Sequence, residues 1–221
     1  LLIEPNERGS GLSFESRCPT DELCSNWQSL IMTNLAEKTH LGVLTGSPLT
    51  DVKISLIAGR AHLKHTEGGD FREAVYRAVR QGLMKAESVL LEPWYEFRLE
   101  VPPEHIGRAI SDVRAMSGKF DTEGSSVITG LAPVSEMNGY ADVLASYTSG
   151  KGRLSCRAGG YYPCHNEKQV IEAIGYDPEA DVENTPDSVF CSHGAGTVIK
   201  WNEVGRFAHL DPTIGDKAPE E

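Results

Sequence analysis

Residues 94–133, WYEFRLEVPPEHIGRAISDVRAMSGKFDTEGSSVITGLAP, decide the fold. WYEFRLEV (94–101) reads as a strand. PPEHIGRAISDVRAMSG (102–118) reads as a helix with proline at its start and Gly118 at its end, and Ile106, Ile110 and Val113 form its apolar stripe. KFDTEGSSVITGLAP (119–133) is a pair of short strands joined at Glu123-Gly124, a hairpin signal. Beyond it, PVSEMNGYADVLASYTSG is a second helix or helical loop, and GRLSCRAGGYY is a last strand. The order β-α-β-β-α-β predicts a split βαβ plait, an antiparallel sheet with two helices on one face.

Working outward, SVLLEP (88–93) reads as a buried hinge into this unit. At the N-terminus LLIEP is strand-like, NERGSG a turn, and LSFES a second strand with Leu12 and Phe14 alternating. A helix start is expected at CPTDEL, where Thr20 can cap free N–H groups and Asp21 and Glu22 favour the positive end of the helix dipole. Leu23, Trp27, Leu30, Ile31 and Leu35 then recur at three- and four-residue steps, one buried stripe. Gly42 and Gly46-Ser47-Pro48 break the chain into a loop. In DVKISLIAG, Val52, Ile54 and Leu56 alternate against Lys53 and Ser55, as a half-buried strand requires. After the loop HLKHTEGGD, the helix DFREAVYRAVRQGLMKA is expected to turn Phe71, Ala74, Val75, Ala78, Val79 and Leu83 inward and Arg72, Arg77 and Arg80 outward. Past Tyr161 the sequence predicts one short helix (KQVIEAIG), an aperiodic acidic stretch, a strand at TVIKW, and disorder after Leu210. The fold class is α+β: two plait-like domains in tandem over 1–90 and 91–161, then an acidic, partly disordered C-terminal extension over 162–221.

The 221 residues are 39% apolar and 24% charged, which excludes collagen, wholesale disorder and a coiled coil. No run approaches the roughly 18 apolar residues of a membrane span, and LLIEPNERGSG lacks the basic start and cleavage site of a signal peptide. With no initiator Met, the chain is expected to be a piece of a longer one. Net charge is −11, unevenly spread: beyond Tyr161 there are 12 acidic and 4 basic side chains, against 20 and 17 before it. This balance argues against nonspecific DNA binding while leaving room for a local nucleic-acid surface. Five scattered cysteines are no secreted disulfide framework, so cytosolic thiols are the simpler reading.

No catalytic constellation stands out. A Walker-type Gly-rich loop with Lys-Ser/Thr is absent, as is a Gly-x-Ser-x-Gly elbow, and Gly194-Ala195-Gly196 is no nucleotide cradle by itself. Cys164-His165 and Cys191-x-His193 together supply two thiolates and two imidazoles, the donor set of a tetrahedral zinc ion. Free thiols and surface histidines are the competing reading of those four residues, and a zinc-stabilised regulatory or protein-interaction module is the function class that zinc would imply.

Several blocks in order carry a resemblance to a known family. EPNERGSG, GVLTGSPLTDVKISLIAGRAH, SVLLEPWYEFRLEVPPEHIGRAISDVRAMSGKF and APVSEMNGYADVLASYTSGKGRLS together resemble the last two domains, IV and V, of elongation factor G, over about residues 4–161. Gly69-Asp70-Phe71-Arg72 is similar to the Ala-Asp-Phe-Arg of the tetracycline-resistance ribosomal protection branch, whereas Leu63-Lys64-His65 stands where that branch has a Ser-Pro-Val turn. The resemblance implies a ribosomal protein S5 domain 2-like fold followed by a ferredoxin-like one, in a cytoplasmic, ribosome-binding fragment of a translational GTPase. Its work would be tetracycline protection or translocation. GTP and Mg²⁺ would belong to upstream domains of the same chain, with no enzyme activity, DNA or membrane partner here.

By the same resemblance, tip loops at Gly42–Pro48 and Gly59–Gly69 reach rRNA near the decoding centre, with Gly42, Gly46, Ser47, Arg60, His62, Lys64 and His65 as the contacting residues. The residue chemistry agrees: between His40 and Thr66 stand Lys53, Arg60 and Lys64 against the single acid Asp51. Cationic side chains neutralise phosphate, glycine lets an RNA backbone approach closely, and a histidine can stack on an unpaired base.

Overall fold

The computed structural model of the chain describes residues 1–62, 66–192 and 195–208. The expected disorder after Leu210 lies outside them, as do Lys64, His65 and His193. Two compact units are present: residues 1–88 joined by the chain from 171 onward, and residues 89–170.

The first unit opens with β1 (Leu2–Pro5), β2 (Leu12–Ser16), α1 (Ser25–Glu37), β3 (Val52–Leu56) and α2 (Gly68–Lys85). β3 is the central strand, antiparallel to β1 and parallel to β2. Ile31 and Leu35 of α1, Ile54 and Leu56 of β3, and Phe71, Val75, Val79 and Leu83 of α2 share one buried cluster, onto which Trp27 and Leu30 pack. Trp27 lies against Phe71 with ring centroids 4.9 Å apart. The apolar stripe of α1 is thus where its spacing places it, but the helix begins at Ser25 rather than near Thr20. The reason is local: the Pro19 carbonyl accepts the N–H groups of Glu22 and Leu23 in a turn of its own. Gln28 then ties that turn to the helix, its Nε2 donating to the carbonyls of Leu23 (2.7 Å) and Cys18 (3.0 Å). α2 starts with a reciprocal capping pair, Glu67 and Asp70, which satisfies backbone N–H groups that the first turn leaves unpaired.

His40 is buried at the end of the loop that follows α1, edge-on to Phe14 and Tyr76, and its Nε2–H donates to the Leu35 carbonyl at 2.9 Å. Burial, assisted by the nearby Lys38 charge and opposed by the Leu35 bond, holds its pKa below the usual histidine value. A group whose folded pKa is depressed takes up its proton first in the unfolded chain, so stability falls as pH drops below the unfolded histidine value of about 6.5. Urea unfolding at pH 7.5 and 5.5 is expected to show that loss, and His40→Gln to reduce it. An unchanged pH slope in the variant would remove His40 as its source.

The second unit runs β4 (Leu91–Glu100), α3 (Ile106–Ala115), β5 (Lys119–Glu123), β6 (Val127–Pro133), α4 (Val134–Met137), α5 (Tyr140–Tyr147) and β7 (Arg153–Pro163). The sheet order is β5-β6-β4-β7, antiparallel throughout, as the β-α-β-β-α-β sequence order predicts for a ferredoxin-like plait. Phe97, Leu99, Ile128 and Ala132 of the sheet pack with Ala109 and Val113 of α3 and Leu144 of α5. Both units combine sheet and helices, so the fold is α+β. SVLLEP is no buried hinge: Val89 is 61% exposed, and Leu91–Pro93 already belong to β4. The ladder slips by one residue between Trp94 and Tyr95 of β4, opposite Gly159 and Gly160. A Cβ at Gly159 would stand 2.9 Å from the Glu96 nitrogen, so the bulge needs glycine there.

α6 (Glu167–Ile174) and the antiparallel hairpin β8 (Ser188–Ser192) and β9 (Ala195–Ile199) follow, and a 3-10 turn spans Val204–Arg206. The stretch expected to be aperiodic thus contains β8. It is fastened to α2 by polar contacts: Gln81 Nε2 donates to the Pro186 carbonyl (2.9 Å) and Ser188 Oγ (2.7 Å), and Arg77 donates to the Asp187 carbonyl (2.6 Å).

Candidate nucleic-acid interface

The two glycine-bearing loops lie at opposite ends of β3, because one leads into Val52 and the other leaves Leu56. At about 3.3 Å per residue, the strand alone sets them some 16 Å apart.

The loop after β3 has a fixed root. Gly59 sits where a Cβ would come within 2.7 Å of Leu23 Cδ2, and Ala61 packs against the core. Arg60 and His62 between and beyond them are exposed. Thr66 closes the loop, its Oγ1 accepting the His62 N–H at 2.7 Å while its own N–H donates to the His62 carbonyl at 3.1 Å. Core packing thus aims the Arg60 and His62 backbone outward.

The other loop is a tight reverse turn and is partly covered. Gly42 N–H donates to the Ser47 carbonyl (2.8 Å), Leu41 bridges Pro48, and Thr45 Oγ1 donates to Ser47 Oγ (2.9 Å). Gly46 adopts φ +69°, and Tyr176 lies over it so closely that a Cβ would meet the ring at 3.1 Å. Arg80 holds the same loop from α2, donating to the Leu41 carbonyl at 2.8 Å and to the Tyr176 hydroxyl. Of the residues expected here, only Ser47 is exposed; Gly42 and Gly46 are half-buried.

The outward arginine row is also corrected. Arg80 is 4% exposed and belongs to the interior, because Tyr176 and Leu41 enclose it. Arg72 pairs with Glu37 at 3.2 Å, and Arg77 is engaged by Asp187 and Glu73. Lys53 is neutralised by Glu15 at 2.9 Å, and that bond leads the contacts that hold the Glu15 carboxyl at a pKa of about 2. Of the cations counted along the sequence, Arg60 of the loop after β3 is exposed, and Lys64 lies outside the described residues.

The four expected zinc donors are divided. Cys164 and His165 belong to the second unit and Cys191 to the first, while His193 is outside the described residues. Cys164 and His165 meet Glu92 instead, and among the described residues these three form a group with metal-ligating donors in reach of one another. Burial pushes the Cys164 thiol pKa up, with Glu92 and Glu167 adding to the rise against a backbone bond from Asn166. Glu92 and Tyr176 were not legible as site residues: nothing in local spacing links either to its partners. Among the described residues, no helix is long and apolar enough to cross a membrane.

Comparison with known proteins agrees with this architecture. Residues 1–87 match the family model for elongation factor G, domain IV, and residues 89–171 that for the elongation factor G C-terminus. The chain belongs to the elongation factor G family, of which it carries these two consecutive domains. Tetracycline resistance protein TetP of Clostridium perfringens is 32% identical over 183 residues, which cover 80% of this chain and 28% of that protein. A crystal structure of a protein from Thermus thermophilus matches with a TM-score of 0.62 and 25% identity, covering 78% of this chain and 27% of the other. The chain thus spans less than a third of either relative.

Proposed function

We propose that this chain is the ribosome-engaging arm of a cytoplasmic translational GTPase, allied to the tetracycline-resistance ribosomal protection proteins. Domains upstream in the same protein would bind GTP and Mg²⁺ and perform the hydrolysis, and the present residues would position that engine on the ribosome. The observation that carries this reading is the loop after β3: in a domain IV of this family, it presents exposed Arg60 and His62 on a root fixed by Gly59 and Ala61. Its chemistry is recognition without catalysis. Arg60 and Lys64 neutralise rRNA phosphates, releasing counterions, and the His62 imidazole offers a flat face to an unstacked base. At the turn Gly42–Pro48, Tyr176 and Arg80 occupy the inner side, which leaves exposed Ser47 to face the RNA.

Co-sedimentation of the 221-residue chain with ribosomes tests the reading. Replacing Arg60 and Lys64 together by alanine is expected to weaken binding about tenfold and to flatten its salt dependence by roughly one unit of slope for each phosphate no longer neutralised. Binding that is unchanged in strength and slope would exclude this loop as the contact. In the full-length protein, ribosome-stimulated GTP hydrolysis accompanied by release of bound tetracycline separates a protection role from translocation.

A further inference from the structure

Glu92 near the start of β4, with Cys164 and His165 just past the end of β7, bring one donor atom each within 4.8 Å of the other two. β4 and β7 pair from Leu91–Pro163 onward, and the Cys164 N–H donates to the Leu90 carbonyl at 2.8 Å, so the pairing of the two strands holds the donors together. Successive residues within a strand project to opposite faces. Cys164 and His165 escape that rule because the strand ends at Pro163. The site is sheltered, with the Glu92 and His165 side chains 12% and 15% exposed. His165 is held at both ring nitrogens: Nδ1 lies 2.7 Å from Glu92 Oε1, and Nε2 lies 3.3 Å from Oε1 of Glu136 on α4. Glu92 Oε1 also accepts the His165 backbone N–H at 2.8 Å, which fixes the carboxylate in place.

We infer that this cluster binds a thiophilic divalent cation of the zinc class, with Glu92, Cys164 and His165 Nδ1 as ligands and water in the fourth position. Sulfur, imidazole and carboxylate together suit zinc, whereas Mg²⁺ and Ca²⁺ require oxygen around the whole sphere. Glu136 supplies the outer carboxylate that metal-bound histidines characteristically use to fix their tautomer. On binding, the Cys164 S–H bond breaks, a sulfur–metal bond forms, and the proton leaves to solvent. His165 coordinates through an Nδ1 that carries no proton, any proton there leaving to solvent, while its Nε2–H donates to Glu136. Metal–ligand bonds of about 2.0–2.1 Å place nitrogen and oxygen ligands roughly 3.3 Å apart in a tetrahedron, so the Glu92–His165 pair has to open by about half an ångström. This donor set replaces Cys191 and His193 with Glu92, and it is independent of ribosome binding.

Cobalt(II) titration of the metal-free 221-residue chain tests the assignment. One equivalent should bind with a thiolate-to-cobalt charge-transfer band that zinc displaces. Cys164→Ser should abolish the band, and Glu92→Gln should weaken binding at least tenfold. Glu136→Ala should keep the band and weaken binding by about 10–100-fold, and Cys191→Ser should change neither. Circular dichroism of each metal-free variant, matched to the parent chain, separates ligand loss from unfolding. Failure of the parent chain to bind cobalt stoichiometrically overturns the assignment. So does a band that survives Cys164→Ser or is lost in Cys191→Ser.

Discussion

Truncating Phe97 to alanine is expected to cost the second unit about 3–5 kcal/mol, the range for removing a fully buried aromatic ring from a core that cannot collapse around the gap. Phe97 is 2% exposed at the middle of β4, paired with Gly130 on β6 and with Cys156 on β7, and it packs in the cluster formed by the sheet and the two helices α3 and α5. Both neighbouring strands are hydrogen-bonded to β4 along its length, so the backbone has little freedom to close the void. Phe97→Leu keeps most of the volume and should cost clearly less. Urea denaturation followed by far-UV circular dichroism measures both. A loss below about 1 kcal/mol for the alanine variant would show that the ring does not sit in a close-packed core.

Arg80→Ala is expected to produce the second largest effect, about 2–4 kcal/mol, from buried acceptors left without a charged donor together with the missing packing of the long stem. Its guanidinium joins the Leu41 carbonyl, in the loop before β3, to the Tyr176 hydroxyl, and Tyr176 in turn donates to Asp181 at 2.6 Å. The same network leaves the Tyr176 hydroxyl above its ordinary pKa, through burial and the bond to Asp181. One substitution should therefore loosen two segments at once, with faster amide exchange around residues 41–48 and 176–188. Arg80→Lys retains a charge without the fork that reaches two acceptors, and should recover only part of the loss. Exchange that accelerates in neither segment would mean that Arg80 fills space without fastening the extension.

Local periodicity carried most of the fold. The hairpin at Glu123-Gly124, the α3 stripe of Ile106, Ile110 and Val113, and the alternation of β3 depend on neighbours within a few residues, which a sequence displays directly. What escaped was set by partners far along the chain. Arg80 occupies a helix position that looks solvent-facing until Tyr176, 96 residues later, covers it. β8 hides in an acidic stretch because only its pairing with β9 makes it a strand. Thr20 has the chemistry of a cap, yet the turn closed on Pro19 delays the helix past it. At the candidate loop, Arg60 and His62 were legible as exposed polar residues, whereas the neutralisation of Lys53 by Glu15 was not, since Glu15 lies on another strand.

The first unit is assembled from both ends of the sequence, with residues 89–170 interposed as a separate body. Domains generally mature in the order of their synthesis, and here that order is reversed for part of the molecule. The interposed body has all its strands once Pro163 has emerged, while Arg80 waits for Tyr176 and Gln81 for Ser188. During translation the earlier-made α2 therefore carries an uncovered guanidinium and unmet polar groups for about a hundred residues of elongation. A nascent chain stalled just after residue 170 has emerged should hold a protease-resistant 89–170 body beside an α2 surface still open to attack.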